Sequence, residues 1–212
     1  PAGTVLIIDD TVFRGQTMRS ARSLAGAISG KFIFAAVYIA PTTKNEAPGS
    51  MPDLWVEEVP LPRYFQWNIL HHPDNAWMAF DLDGLLCADP DFREDDADPR
   101  AYRQFVRTAK LLYRPTWPLG AIVTNRLKKW RPETKLWLAR MGIEHLRFIC
   151  DGHKSAEARR ADPSSYGKMK GLAFRALKHL TLFVESDPSQ AEVISIHSGK
   201  PCLDACNWEL YQ

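Results

Sequence analysis

Two carboxylates one residue apart, Asp81 and Asp83, follow directly on the apolar run Trp77-Met78-Ala79-Phe80 and precede Gly84. At the carboxyl end of a buried strand such a pair repels itself unless a cation or a shared proton relieves it. Magnesium suits the position, because it prefers oxygen ligands and keeps water in the rest of its shell. A magnesium-bound aspartate can attack a phosphoryl group to give an aspartyl-phosphate, while a second aspartate protonates the leaving oxygen and later activates water. A second acid pair, Asp9-Asp10, follows Val5-Leu6-Ile7-Ile8 and leads through Gly15 into a helical pattern. Carboxylates placed so can accept ribose hydroxyls, and backbone N–H groups around Gly15 and the helix start can hold the sugar's phosphate, with Thr17 adding a hydroxyl. The bland alternative for both pairs is a turn or a helix cap.

The elements that must position these residues are read from periodicity. Candidate strands at Trp77–Phe80, Ala121–Val123, Leu146–Ile149 and Leu182–Val184 alternate with helical patterns, one of which starts at Arg131-Pro132 and stops at Met141-Gly142. Such alternation predicts an α/β fold with a parallel sheet covered by helices on both faces. The opening segment reads as a βαβ unit: a strand Thr4–Ile8, a turn through Gly15, an amphipathic helix to about Ala27 and a strand Phe32–Ile39. Pro41 to Pro62 holds five prolines and reads as a loop with one short strand at Leu54–Val56. A boundary near His71-His72-Pro73 divides the chain into regions 1–70 and 71–212.

Of the 212 residues 45% are hydrophobic, enough for a core, and 27 basic against 25 acidic residues leave a formal charge of +2. That balance argues for neither nucleic acid nor a membrane as partner. Cys87, Cys150, Cys202 and Cys206 form no CxxC pair and read as reduced thiols. With no signal-peptide pattern and no apolar run near the roughly 20 residues that span a bilayer, the cytoplasm is the expected compartment. The start at Pro1, without methionine, suggests the tail of a longer product.

The Asp81-Leu82-Asp83-Gly84 run resembles the first motif of the haloacid dehalogenase-like hydrolases, a hydrophobic strand followed by DxDG. The resemblance implies a Rossmann-like parallel sheet, Asp81 as nucleophile, Asp83 as acid/base that also offers its main-chain carbonyl to magnesium, and Mg2+ as cofactor. It assigns Thr124, at the end of Ala121-Ile122-Val123, to the phosphoryl oxygens; a strand-end threonine is otherwise a helix cap or edge residue. It asks for a lysine that neutralises the phosphoryl charge, and Lys168, just before a helical stretch through Leu180, is favoured by position over Lys170. After Leu182-Phe183-Val184 it makes Glu185 and Asp187 metal ligands beside Asp81 and Asp83. Ser186 stands where a second adjacent acid is common, and Asp187 before Pro188 also reads as a helix N-cap.

Between Asp83 and Thr124 there is room for a loop, one helix and a strand but no large cap, so the site is expected to be open. The acidic run Asp89, Asp91, Glu94, Asp95, Asp96 and Asp98 in that stretch reads as a solvated loop that would repel a polyanion. Thr124-Asn125-Arg126, with Arg131, Thr134, Trp137 and Leu138, is similar to the corresponding region of polynucleotide kinase-phosphatases. That likeness makes Asn125 and Arg126 substrate-binding, the guanidinium pairing two phosphate oxygens. The equal alternative is a solvated helix entry formed with Lys128, Lys129 and Arg131.

Val5 to Thr17 resembles the phosphoribosyl-pyrophosphate signature of type I phosphoribosyltransferases, with Thr11 and Phe13 atypical. By that likeness Asp9, Asp10, Arg14, Gly15 and Thr17 bind the phosphorylated ribose, and region 1–70 is the C-terminal portion of such a domain. The remainder of that domain would precede Pro1, so no phosphoribosyl transfer is expected from this chain alone. The expected function is a magnesium-dependent phosphohydrolase acting on a small phosphorylated substrate, a nucleotide or sugar phosphate, with a nucleic-acid end less favoured and no membrane partner. The alternatives are a non-catalytic nucleotide-binding or regulatory module, or a phosphoribosyltransferase whose first half lies elsewhere. An incomplete sheet in the first region would expose an edge that a homo-oligomer could cover.

Overall fold

β-branched and aromatic residues dominate Val5-Leu6-Ile7-Ile8 and Phe32-Ile33-Phe34, and both runs become strands. The computed structural model describes residues 3–60, 63–91, 98–161 and 165–212. They form two compact units, Pro1–Tyr64 and Phe65–Gln212. Residues 65–70 lie with the second unit, where Ile69 and Leu70 are buried and the Leu70 carbonyl accepts from Thr116 N at 3.1 Å.

The first unit is a three-stranded parallel sheet in the order β1 (Thr4–Val12), β2 (Lys31–Ile39), β3 (Leu54–Glu58), with helix α1 (Gln16–Gly26) between β1 and β2. Its core gathers Val12, Met18, Ala25, Phe34, Ala36 and Ile39. Asp53 ties the pieces together. Its carboxylate pairs with Arg22 of α1 at 2.7 Å and accepts from Phe34 N at 2.8 Å, while its own N–H donates to Phe34 O at 2.7 Å. β1 runs on through Val12 rather than stopping at Ile8, so Asp9 and Asp10 lie inside the strand and, by its period of two, on opposite faces.

The second unit is a six-stranded sheet in the order β6 (His145–Asp151), β5 (Leu119–Leu127), β4 (Met78–Phe80), β7 (Leu182–Glu185), β8 (Cys202–Asp204), β9 (Glu209–Tyr211). All pairs are parallel except the β8–β9 hairpin. Helices α2 (Pro99–Thr108), α3 (Arg131–Met141), α4 (Ala156–Arg160), α5 (Ser165–Ala176) and α6 (Pro188–Ser198) connect the strands. Ala79, Ala121, Val123 and Phe183 point to the face where Phe174 of α5 and Ala191 and Ile194 of α6 pack. Met78, Phe80, Ile122 and Val184 alternate to the other face and are equally buried, so both faces are covered. The chain is thus α/β with a mixed, mostly parallel sheet, and among the described residues no helix is long and apolar enough to cross a membrane.

β4 sits in the middle, and the chain leaves it toward β5 and β6 before returning on its other side as β7. Such a reversal of winding opens a crevice at the carboxyl ends of the strands on either side. The helix that approaches β7 begins at Ser165 and ends at Ala176, earlier than the stretch to Leu180 that periodicity predicts, and this phase decides which lysine faces the sheet.

The Arg22 guanidinium, with Phe34 N, outweighs partial burial and holds the Asp53 carboxyl below the ordinary carboxylate range. A carboxylate so depressed stabilises the fold above its ordinary pKa and loses that contribution as pH falls through the depressed value. Asp53→Asn should therefore destabilise the first unit by about 0.5–1 kcal/mol at pH 7, the small figure reflecting a half-exposed pair. The difference from wild type should shrink as pH falls below the ordinary carboxylate range and through the depressed value, read by urea denaturation at neutral and at acid pH.

Candidate active site

β4 carries Asp81 to the carboxyl end of the sheet, where its N–H donates to Val184 O at 2.9 Å. The residue is 5% exposed. One oxygen meets the Lys170 ammonium at 2.9 Å, and the other accepts a long bond from Ser186 Oγ at 3.4 Å. The chain then turns sharply at Gly84, whose φ of +78° suits glycine and whose missing Cβ leaves room for Ser186 Oγ. Gly84 N donates to Cys87 O and Cys87 N to Leu82 O, closing a loop that returns Asp83 to the mouth of β4.

Asp83 is held by β5. Arg126 Nε lies 3.0 and 3.1 Å from its two oxygens and Nη2 lies 2.6 Å from one of them. Thr124 Oγ1 donates to Asp83 at 3.5 Å and accepts from Arg126 N at 3.1 Å. Arg126 is 1% exposed and sits against the Phe105 ring. Burial works against its charge, but Asp83 outweighs it and raises the guanidinium pKa. Arg126 is therefore buried rather than part of a solvated helix entry; its Nε and Nη2 position the Asp83 carboxylate, its Nη1 lies 3.4 Å from Thr134 Oγ1, and the side chain also lines the cavity in front of Asp83. Thr124 likewise reaches Asp83 and does not line the cavity in front of it. Lys128, Lys129 and Arg131 are the exposed residues of the cluster.

The lysine at the site is Lys170, not Lys168. Two residues apart on a helix point about 200° from each other, so with Lys170 turned to the sheet Lys168 is exposed. Lys170 Nζ lies between Asp81 and Glu185 Oε2, the latter at 2.7 Å, and is 1% exposed. Burial opposes its charge, yet Asp81 and Glu185 together hold its pKa above that of a free lysine. Glu185 is pushed up by burial and by Asp81, with Lys170 pulling the other way.

Glu185, expected as a metal ligand, has its other oxygen on the Ser186 and Asp187 N–H groups at 3.0 and 3.2 Å. It orients Lys170 and the turn after β7, and has no oxygen left facing the cavity. Asp187 caps α6, accepting from Ser189 N, Ser189 Oγ and Gln190 N, while Gln190 Nε2 donates to its second oxygen. Burial raises its pKa, but these bonds prevail and hold it below the ordinary range.

These groups surround a cavity of about 730 Å³ lined by Asp81, Asp83, Asn125, Lys170, Ser186 and Asp187, together with arginines 159 and 160. Asn125 spends its amide on Gln190 Oε1 at 2.9 Å, and its main-chain carbonyl accepts from Arg159. Asp89 and Asp91 also line the cavity, so part of the presumed solvated loop faces the site. Burial beside Asp83 and Asp81 pushes the Asp89 carboxyl up. Asp98 caps α2, and residues 94–96 of the acidic run lie outside the described residues.

The donors facing the cavity are oxygens, which suits a hard cation. Among the described residues no three of His, Cys, Asp or Glu converge as a metal cluster.

In the first unit a smaller cavity of about 200 Å³ lies where β1 turns into α1, lined by Asp9, Arg14, Gly15, Thr17 and their neighbours. Gly15 takes φ +63° at the start of α1. Asp10 is exposed and outside this lining, so the structure brings four of the five expected ribose-phosphate residues together. Burial and the adjacent Asp10 raise the pKa of Asp9.

Compared with protein-family models, curated proteins and solved structures, the chain finds no match.

Removing one member of a buried ion pair leaves an uncompensated charge, at about 3–5 kcal/mol. Lys170→Met should lose that much stability, because it strands Asp81 beside Glu185. Adding Glu185→Gln should recover part of the loss, and chemical denaturation of the single and double variants in a chelating buffer measures both.

Proposed function

We propose that this protein is a magnesium-dependent phosphohydrolase of the haloacid dehalogenase type, acting through an aspartyl-phosphate on Asp81. The observation that carries it is the placement of Asp81: a buried carboxylate at the end of the central strand, one oxygen held by Lys170, facing a cavity that Asp83 shares. Two carboxylates in different surroundings divide acid/base work from nucleophilic work.

Asp81 attacks the phosphorus, and the bond to the leaving oxygen breaks as Asp83, which enters this step protonated, gives that oxygen its proton. Asp83 then takes a proton from water, which attacks the phosphoryl group and frees Asp81. Lys170 offsets the charge on Asp81 throughout, while Arg126 and Thr124 hold Asp83 in line. Mg2+ would be held by Asp81, the Asp83 carbonyl and water, with Asp187 at hand, and would neutralise the phosphoryl oxygens. The carboxylates of Asp89, Asp91 and Asp187 at the cavity favour a small phosphorylated substrate over a polyanionic nucleic-acid end. All four cysteines are unpaired, as a reducing cytoplasm would keep them.

A second reading concerns the first unit, whose cavity at the start of α1 supports a phosphoribosyltransferase-like region that binds a phosphorylated ribose. Binding without turnover at both sites would make the chain a regulatory module. Phosphoribosyl pyrophosphate that raises the melting temperature and yields no nucleotide supports ribose-phosphate binding; nucleotide formed from any base overturns the expectation of no transfer.

Asp81→Asn should lower phosphate release by more than about a thousandfold, and chelation should abolish release until magnesium is restored. Lys168→Ala should leave the rate within about twofold and stability within about 0.5 kcal/mol, as for an exposed substitution. Release retained in Asp81→Asn would remove Asp81 as nucleophile.

A further inference from the structure

Behind the catalytic turn, Gly84 and Ser186 also border a second cavity of about 340 Å³. Trp208 and Tyr113 form part of its walls, the buried Leu85 and Ile69 contribute its apolar lining, and Gln66, whose side chain carries an amide, is among its lining residues. None of its described lining residues is charged. It therefore differs in kind from the acidic and basic pocket around Asp81. Its size and lining, apolar with a few polar groups, are those of a small-molecule site.

The Trp208 backbone supplies an independent observation. The β8–β9 hairpin turns through Asp204, whose carboxylate accepts from Cys206 N and Asn207 N while Trp208 N donates to Asp204 O at 2.8 Å. Trp208 takes φ +61°, and among the described residues no other non-glycine has a positive φ. Glycine or asparagine occupies such a position at less strain. A bulky indole kept in a left-handed turn position, on the wall of a cavity, is the kind of local strain that accompanies binding sites.

We propose that this cavity binds a planar, uncharged aromatic heterocycle of nucleobase size against Trp208 and Tyr113, its edge within reach of the Gln66 amide. Flat aromatic faces reward stacking, an amide pairs with ring-edge donors and acceptors, and the lack of charge excludes a phosphate. Ser186 borders this cavity and also donates to Asp83 O at 3.0 Å, so an occupant touches the residue that braces the catalytic turn. The ring belongs either to the substrate, whose phosphate would enter the other pocket, or to a separate ligand.

Adenosine and uridine, with ribose as the ring-free control, test it by thermal shift and tryptophan fluorescence on the whole chain. A saturable quench and a raised melting temperature with a nucleoside but not with ribose are expected. Trp208→Phe should keep the rise in melting temperature and lose the quench along with the indole. Trp208→Gly should abolish both while raising the ligand-free melting temperature, because the strained turn relaxes. No nucleoside response in the wild type, or a full rise in melting temperature with nucleoside in Trp208→Gly, overturns the proposal. So does a wild-type dimer that Trp208→Gly dissolves, since a second copy would then fill the cavity. Nucleoside inhibition of hydrolysis of a ring-free phosphate ester separates the sources: a raised KM assigns the ring to substrate, and a changed kcat alone to a separate ligand. The binding readouts do not require hydrolysis, so they stand or fall apart from the role of Asp81.

Discussion

The Lys170 ammonium, enclosed between Asp81 and Glu185, is the interaction on which the second unit's architecture turns. Asp81 ends β4, Glu185 ends β7, and Lys170 rises from α5, so one cation joins the two central strands to a covering helix. Without it two carboxylates would lie buried side by side, each raising the other's energy. With it, Asp81 is fixed with one oxygen spoken for and the other toward the cavity. Glu185 completes the arrangement by accepting the N–H groups of the turn that leads into α6, which in turn sets Ser186 and Asp187.

Arg126 does for Asp83 what Lys170 does for Asp81, but by different geometry. A guanidinium fork fixes both oxygens of its partner and the plane they lie in, whereas an ammonium acts as a point charge that tolerates two partners. Asp83 is accordingly held in orientation and Asp81 mainly in charge. Two neighbouring carboxylates thereby acquire distinct surroundings. Phe105 covers Arg126, and the Cys87 thiol meets its guanidinium at 3.2 Å, so the arginine side of the clasp is buried.

Much of this was legible in the sequence where the signal was local. The strand before Asp81, the proline start and glycine stop of α3, and the capping role of Asp187 before Pro188 follow from short-range chemistry, and each stands in the structure. The choice between Lys168 and Lys170 was not local, because it depends on the rotational phase of α5 against the sheet. The partner of Arg126 was hidden for a similar reason: a strand-end arginine reads as a phosphate binder or a surface charge until the neighbouring strand shows a carboxylate beside it. Asp89 lay concealed in an acidic run, and only the return of the loop past Gly84 turns it inward. β8 and β9 are too short for periodicity to register, and β1 continues through two aspartates that strand propensity disfavours because its pairing with β2 extends to Val12.

β4 is only three residues long, and its pairing with β7 joins positions about a hundred apart, as the Thr181 contact to Trp77 at a separation of 104 illustrates. Contacts between segments so distant carry a loop-closure cost and form late as a chain folds. Lys170, Glu185 and Ser186 all arrive with that final third. During synthesis the Asp81 segment therefore leaves the ribosome well before the groups that charge-balance it, so this carboxylate acquires its surroundings only when the sheet closes around it. Assembly of the site and completion of the fold are in this sense one event, and a chain cut short before β7 would carry the motif without its chemistry.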